Sequence, residues 1–497
     1  MTSSSEPSHP SERPASIARG IAKGFLSISA GNIVSRGINF LTVIYLGRRF
    51  GPDGFGAIGL AQAALVLGSI TGDLGLQTLG IRVSAQEPEE AGRILSNYVS
   101  LRFCLSTLSV ALLAGFALVS GQSAVVTELT MLFGLTLIAT ALTTEWLFIG
   151  LQRMEYVGTA RILQSASYGI LLVTLVRGGN DIFLVPILVG VSILTSATFL
   201  FWAFRRFDPS FRFRPTPSSW PGLLRTALPL GLSDALLQTY ISLPVLMIGW
   251  FHDERATGFF SAAFRLVQVL NDLLGLLFIS FYPTVASRWK HAPSRVGPLL
   301  DNVMKLMLVV TLPVAAGAVV LGPSLLTALL GARFGPSVLS FQILVWNVVA
   351  AAISGVYKML VLLMNGKQRE YLLVIALTAG LGVALNLGFI WLWSYNGAAI
   401  ARVATDTAAA AISAIIARRF VRMRFWGAFV RVCLATAATA LAWFGLGAIG
   451  LPVWLVIPAG AALYVPALFL FGAINSQDAA LFRSILRIGE PRPATTA

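Results

Sequence analysis

The chain is poor in charge, in cysteine and in histidine. Only 11% of its 497 residues are charged, whereas an ordinary soluble domain carries about 25% charged residues. The two cysteines, Cys104 and Cys433, fall in apolar runs, which favours two buried thiols over a disulfide. The three histidines have no second ligand at metal-site spacing. We therefore expect neither a metal nor a cofactor.

Sequence signatures of soluble enzymes are missing as well. The chain contains no Gly-x-Ser-x-Gly nucleophile turn, no Walker A loop and no His-Glu-x-x-His zinc motif. Because a nucleotide-binding loop is missing from the sequence, we do not expect the chain to hydrolyse ATP. We expect no enzymatic activity.

Long apolar runs are what the sequence has instead. Hydrophobic residues make up 56% of the chain, and a helix needs about 20 apolar residues to cross the hydrocarbon core of a bilayer. The fold class predicted is therefore an all-α integral membrane protein with about 14 transmembrane helices. The apolar windows place these helices at residues 25–45, 57–81, 98–119, 124–149, 156–176, 182–204, 227–250, 258–285, 299–321, 338–364, 371–393, 398–417, 428–446 and 452–471.

The basic residues are distributed unevenly among the predicted loops. With the N-terminus in the cytoplasm, 25 of the 36 lysines and arginines fall in cytoplasmic loops and tails, and five fall outside. This bias follows the positive-inside rule and predicts that both termini are cytoplasmic. It also accounts for most of the net charge of +15 without a nucleic-acid partner.

The two halves of the chain repeat at an offset of 202 residues. At this offset Asn32 aligns with Asp234, and Gly56 aligns with Gly258. Six helices separate the copies, so both enter the membrane in the same direction, as in a parallel repeat. The predicted organisation is a disordered cytoplasmic tail (1–16), an N-lobe of helices 1–6 (17–204), a Pro-rich cytoplasmic linker (205–225), a C-lobe of helices 7–12 (226–420), helices 13–14 (427–473) and a cytoplasmic tail (474–497).

One glycine-rich turn carries a family resemblance. Residues 45–56 read YLGRRFGPDGFG, residues 72–76 read GDLGL, and residues 258–263 read GFFSAA. These motifs resemble the polysaccharide (O-antigen/exopolysaccharide, Wzx-type) flippase family of the multidrug/oligosaccharidyl-lipid/polysaccharide (MOP) exporter superfamily. The similarity covers roughly residues 17–419. The resemblance implies two six-helix lobes around a central cavity that export lipid-linked oligosaccharide by alternating access.

Arg36 is the strongest candidate for a substrate-binding residue. It lies about eleven residues into the first predicted helix, too deep to reach the interface easily, and Asn32 and Asn39 share its helix face. A planar guanidinium suits a phosphate or an acidic sugar. The alternative interpretation is a structural ion pair between Arg36 and Asp73. Arg265 is a second candidate for anion binding.

The acids inside the apolar runs are candidates for ion coupling or gating, because a charge at the bilayer centre costs roughly 2.5–3.5 kcal/mol on insertion scales. Asp73 is either a coupling site, an interhelical lock, or the cap of a helix broken at Gly72 and Gly75. Asp234 and Asp272 are each either a coupling site or one member of a structural pair.

Arg402 and Asp406 stand four residues apart on one helix, which favours a self-compensating pair over a gate. Lys358 lies near the end of its predicted helix and is expected to snorkel. An anchoring role at the ends of the helices is the default expectation for four further charged residues, Arg102, Arg161, Glu145 and Glu128.

Three functions are weighed on this basis. The first is transport of polyprenyl-pyrophosphate-linked oligosaccharide across the bacterial cytoplasmic membrane for surface polysaccharide biosynthesis, with membrane lipids and a polysaccharide polymerase or export machinery as further partners. The second is a multidrug or metabolite antiporter of the same superfamily, which would be expected to have a mainly acidic cavity. The third is a membrane-embedded polymerase or ligase, for which the external loops are too short.

Overall fold

The computed structural model describes the backbone of residues 14–474 and the side chains of residues 31–474, apart from residues 233, 237, 283 and 293. Most of the two predicted tails, 1–16 and 474–497, therefore lies outside the described residues. The first helix begins at Pro14, so residues 14–16 are helical rather than disordered as predicted.

The regular elements of residues 14–474 are all helices. Eleven helical stretches are long and apolar enough to cross a membrane. Two of them contain two helices each, because the backbone leaves helical geometry at Gly51 and at Trp393 and Ser394. The stretch Met154–Leu175 supplies one further helix, so the predicted count of fourteen is confirmed. The helices are α1 (14–50), α2 (52–73), α3 (Ala91–Val119), α4 (Ala124–Ala141), α5 (Met154–Leu175), α6 (Leu184–Phe207), α7 (Trp220–Phe251), α8 (Glu254–His291), α9 (Val296–Leu330), α10 (Ser337–Leu363), α11 (368–392), α12 (395–417), α13 (Trp426–Ala448) and α14 (Val453–Leu470).

The glycine-rich turn is a sharp corner between α1 and α2. Gly51 has a φ of 65° and a ψ of −171°, a conformation that a residue with a Cβ rarely adopts. Pro52 follows, and its fixed φ suits the first turn of a helix. The corner is tighter than predicted, because the two helices extend to residues 50 and 52 instead of ending at 45 and beginning at 57.

Two predicted helices of the first unit are interrupted. The run predicted at 57–81 breaks at Leu74 and Gly75, whose φ angles are 46° and 84°, and resumes as the short helix Leu76–Gln86. The run predicted at 124–149 ends at Ala141 and resumes as the short helix Glu145–Gly150. Hydrophobicity alone did not reveal either break.

Backbone contacts divide the chain into two compact units, residues 1–250 and 251–497. Helix α7 packs within the first unit, where Gln122 Nε2 donates a hydrogen bond of 3.2 Å to the carbonyl of Gly249. The helix order repeats, since α2 begins at residue 52 and α8 at residue 254, which matches the offset of 202. The domain boundaries drawn around a linker at 205–225 stay a prediction.

The segment 208–216 between α6 and α7 is fastened to the start of α3. Ser96 Oγ accepts a hydrogen bond of 3.2 Å from the backbone N–H of Arg214, and Asn97 Oδ1 accepts one of 2.6 Å from that of Thr216. The ring of Phe211 packs edge-on against Phe204. This segment is therefore held against the first unit over several residues.

Candidate functional site

A row of polar side chains follows one face of α1. Asn32, Ser35, Arg36 and Asn39 recur at intervals of three and four residues, which places them on one side of a helix. All four line a cavity of about 370 Å³ in the first unit. The structure therefore brings together three residues that the sequence singled out as substrate-binding, namely Asn32, Arg36 and Asn39.

A second polar row faces the same cavity from α5. Arg161, Gln164, Ser165 and Tyr168 have the same spacing as the row on α1, and Ser192 of α6 completes the polar lining. This row was missed by sequence reasoning, although its spacing was visible in the sequence.

The two rows face each other because α1 and α5 approach closely at a pair of glycines. A Cβ placed on Gly31 would lie 2.8 Å from Gly158 Cα, so any larger residue there would push the helices apart. Small residues at helix crossings allow this kind of backbone approach in membranes. The glycine contact directly precedes Asn32 and lies one turn before Arg161.

Arg161 is held on both sides. Its Nε and Nη2 donate to Glu145 Oε2 at 3.0 and 2.9 Å, and its Nη1 donates to Asn32 Oδ1 at 2.7 Å. The side chain of Arg161 is 36% exposed and that of Glu145 is 17% exposed. The expectation that both residues are interfacial anchors is wrong, because each is engaged in a network at the cavity.

Asp73 pairs with Arg102 and not with Arg36. Arg102 Nε lies 3.1 Å from Asp73 Oδ1, and the guanidinium is only 4% exposed. Asp73 Oδ2 also accepts a hydrogen bond of 3.3 Å from the backbone N–H of Gln77, just beyond the break in α2. Asp73 therefore makes the predicted ion pair between helices and also caps the helix that follows the break. The partner in the ion pair is Arg102, not the Arg36 that the sequence suggested. Anchoring was the wrong expectation for Arg102.

Asp234 lies on α7 beside the break in α2. Its Oδ2 accepts a hydrogen bond of 3.5 Å from Thr78 Oγ1, and its side chain is exposed. One turn earlier, Gly231 and Gly75 are in backbone contact, since a Cβ on Gly75 would lie 2.4 Å from Gly231 N. A coupling role for Asp234 stays a prediction.

The second unit contains its own polar network, which joins three helices. Arg402 Nε lies 2.8 Å from Asp406 Oδ2 on α12, which confirms the predicted pair. Asn347 of α10 also donates a hydrogen bond to Asp406 Oδ2. Asn271 of α8 in turn donates to Asn347 Oδ1 at 2.9 Å. The network neutralises Asp406 within the second unit.

The remaining candidates of the second unit lie on α8 and α10. Asp272 Oδ1 accepts a hydrogen bond of 3.1 Å from Gln268 Nε2, and Arg265 is half-buried on the same helix. Lys358 is half-buried within the π-helical segment Val356–Leu363 of α10. Such segments are rare and frequently occur at functional sites. The roles predicted for Arg265 and Asp272 stay predictions.

The cavity of the first unit has the chemistry of an anion and polyol site. Two guanidinium groups, from Arg36 and Arg161, provide planar donors for phosphate or carboxylate oxygens. The amides and hydroxyls around them, on Asn39, Gln164 and Tyr168, can exchange hydrogen bonds with sugar hydroxyls. A cavity for organic cations would instead need a surplus of carboxylates.

Comparison with known proteins shows a family match over the part of the chain that contains this site. The family model described as "Polysaccharide biosynthesis protein" matches residues 21–289. A putative O-antigen transporter of Shigella dysenteriae is 23% identical over 336 residues, which cover 66% of this chain and 83% of the relative. The matched family residues include most of α1, all of α5 and both polar rows.

Solved structures show the same fold at low sequence identity. The lipid II flippase MurJ in an inward closed conformation matches with a TM-score of 0.70 and 13% identity, over 93% of this chain and 99% of that one. An inward-facing multidrug resistance transporter of the MATE family in the MOP superfamily matches with a TM-score of 0.60 and 15% identity, over 80% of this chain and 97% of that one. These likenesses establish the fold.

Proposed function

Because the chain belongs to the polysaccharide biosynthesis protein family, we propose that it moves polyprenyl-pyrophosphate-linked oligosaccharide repeat units across the bacterial cytoplasmic membrane. Family, relative and fold support a multi-pass membrane transporter. The proposal adds the substrate, the alternating-access cycle and a role in surface or exopolysaccharide biosynthesis. It also keeps both termini in the cytoplasm, as the charge bias predicts.

The observation that carries the proposal is that Arg36 and Arg161 line the same polar cavity. A pyrophosphate diester is an anion with several oxygen acceptors, and two guanidinium groups can donate hydrogen bonds to these oxygens inside an apolar bundle. The hydroxyl and amide rows beside the arginines suit the attached sugars. The polyprenyl chain needs no polar path, since it can stay in the bilayer.

The coupling residues form a further part of the proposal. Asp73 is better suited to a structural role, because its carboxylate is bonded to Arg102 and to the backbone of the next helix. Asp406 is likewise engaged by Arg402 and Asn347. Among the acids predicted for coupling, Asp234 has the weakest protein contact and is exposed, which suits a group that must exchange a cation or a proton.

The test is the position of lipid-linked repeat units in cells that lack the protein. We expect the units to collect on the cytoplasmic face and surface polysaccharide to disappear, and we expect the wild-type gene to restore export. Normal delivery of the units to the outer face, without a redundant transporter, would exclude the proposal. Drug sensitivity of the deletion strain without a polysaccharide defect would indicate a multidrug or metabolite antiporter instead.

A further inference from the structure

Glu145 lies directly behind one arginine of the cavity. Its Oε2 accepts two hydrogen bonds from Arg161, from Nε at 3.0 Å and from Nη2 at 2.9 Å. Glu145 itself does not line the cavity, whereas Arg161 does. The carboxylate therefore touches the side edge of a guanidinium whose other end faces the proposed substrate.

The contacts of Arg161 leave two of its N–H donors available to a ligand. A guanidinium has five N–H donors in a fixed plane. Glu145 takes one from Nε and one from Nη2, and Asn32 takes one from Nη1. Nη1 and Nη2 therefore each keep one further N–H donor, and guanidinium donors of this kind bind phosphate oxygens.

The backbone around Glu145 is held in place by packing and hydrogen bonds. It is the first residue of the short helix Glu145–Gly150, and its neighbour Trp146 is fully buried against Gly80. The backbone just before it is held by Arg102, whose Nη1 donates to the carbonyl of Thr143 at 3.0 Å. A side chain on such a segment can hold another side chain in one orientation.

We propose that Glu145 is a positioning residue of the anion site, which fixes the plane of the Arg161 guanidinium so that its fork faces the pyrophosphate of a lipid-linked substrate. The inference rests on the proposed function and extends it to a residue outside the cavity lining. Without Glu145, the long side chain of Arg161 can adopt more rotamers. The entropy lost when the ligand orders this side chain would then weaken binding.

The test compares two lipid probes that differ in charge, undecaprenyl pyrophosphate and undecaprenol, on full-length protein purified in detergent. Binding is titrated for the wild type and for Glu145→Ala, Glu145→Gln, Arg161→Ala and the double variant Glu145→Ala/Arg161→Ala. Glu155→Gln is the matched control, because Glu155 is 52% exposed and lies 3.9 Å from Arg153. The thermal unfolding midpoint of each variant is measured in the same preparation.

We expect Glu145→Ala to weaken binding of undecaprenyl pyrophosphate by about tenfold, within the range of coupling between contacting residues. Glu145→Gln keeps an acceptor oxygen and should lose less. Undecaprenol binding should stay unchanged in all variants. In the Arg161→Ala background, Glu145→Ala should have no further effect, because the group it positions is already missing.

Several outcomes would overturn the inference. Tighter binding by Glu145→Ala would show that Glu145 competes with the substrate for Arg161. Equal losses for both probes would show a purely structural role, and wild-type binding by Glu145→Ala would show none. If Glu145→Ala does not fold, the comparison of Glu145→Gln with Glu155→Gln decides by the same criteria. If the wild type binds both probes equally, the proposed function fails. If the wild type prefers undecaprenyl pyrophosphate and the Glu145 variants keep the same preference, the inference fails while the proposed function stands.

Discussion

Asp73, at the end of α2, and Arg102, on α3, form an ion pair. Arg102 Nε lies 3.1 Å from Asp73 Oδ1 at the break after α2. The same guanidinium donates to the carbonyls of Thr143, at 3.0 Å, and Thr140, at 3.4 Å, where α4 ends. The buried guanidinium of Arg102 thus contacts the carboxylate at the end of α2 and backbone carbonyls at the end of α4. These contacts explain why a charged side chain is retained in a buried position.

Removing Arg102 should therefore destabilise the first unit strongly. Arg102→Ala leaves the half-buried carboxylate of Asp73 without its cation and the carbonyl of Thr143 without its donor, and breaking a buried pair costs about 3–5 kcal/mol. We expect a clear fall in the thermal unfolding midpoint of the detergent-purified protein. Arg153→Ala is the control, because Arg153 is 50% exposed and a surface pair contributes little. Equal midpoints for the two variants would contradict this account of Arg102.

The contact between α7 and the break after α2 should not tolerate a side chain larger than that of glycine. Gly75 has a φ of 84°, and a Cβ there would lie 2.4 Å from the backbone nitrogen of Gly231. Gly75→Ala should therefore lower the unfolding midpoint through both backbone strain and a clash. Gly115→Ala is the control, since no described atom lies within 4 Å of its added Cβ, and alanine is the better helix former. A Gly75→Ala protein as stable as the control would mean that α7 does not pack there.

The large-scale fold could be predicted from the sequence because lipid imposes simple rules. Each helix must satisfy its own backbone and present about 20 apolar residues, so apolar runs reveal the fourteen helices. The Gly51–Pro52 corner was visible too, because only glycine adopts its φ freely. A break between Gly72 and Gly75 was one alternative considered for Asp73, but the run of apolar residues did not show that the backbone leaves helical geometry at Leu74.

The candidate site was predictable only in part. The row around Arg36 follows from helical spacing, and the structure places its members in one cavity. The pairing of Arg161 with Glu145 depends on the break between α4 and the short helix Glu145–Gly150, which turns the acid towards α5. Because both charges lay near the ends of predicted helices, an interfacial position was the simpler expectation. The packing of the short helix Glu145–Gly150 against α5 instead brings the two side chains into contact beside the cavity.

The spacing between α1 and α5 should control transport, because it sets the width of the cavity. A Cβ on Gly31 would meet Gly158 Cα at 2.8 Å, so Gly31→Ala must shift one helix and misplace the two polar rows. We expect export of surface polysaccharide to fall in a complemented deletion strain. Gly37→Ala, on the same helix, has no described atom within 4 Å of its added Cβ and should export normally. Equal export by both variants would show that the helix spacing is not critical.

Arg36 allows the most direct test of the anion site. Arg36→Ala should abolish export or slow it greatly, because the charge that faces the pyrophosphate is removed from a cavity of about 370 Å³. Arg36→Lys keeps the charge but loses the planar fork, so it should restore export only in part. The measurement is the surface polysaccharide made by the deletion strain with each variant, corrected for the amount of protein inserted in the membrane. Arg153→Ala, which changes an exposed arginine of the same unit, should behave as the wild type. Normal export by correctly inserted Arg36→Ala would refute the anion-binding role, and full export by Arg36→Lys would show that charge alone, without bidentate geometry, is sufficient.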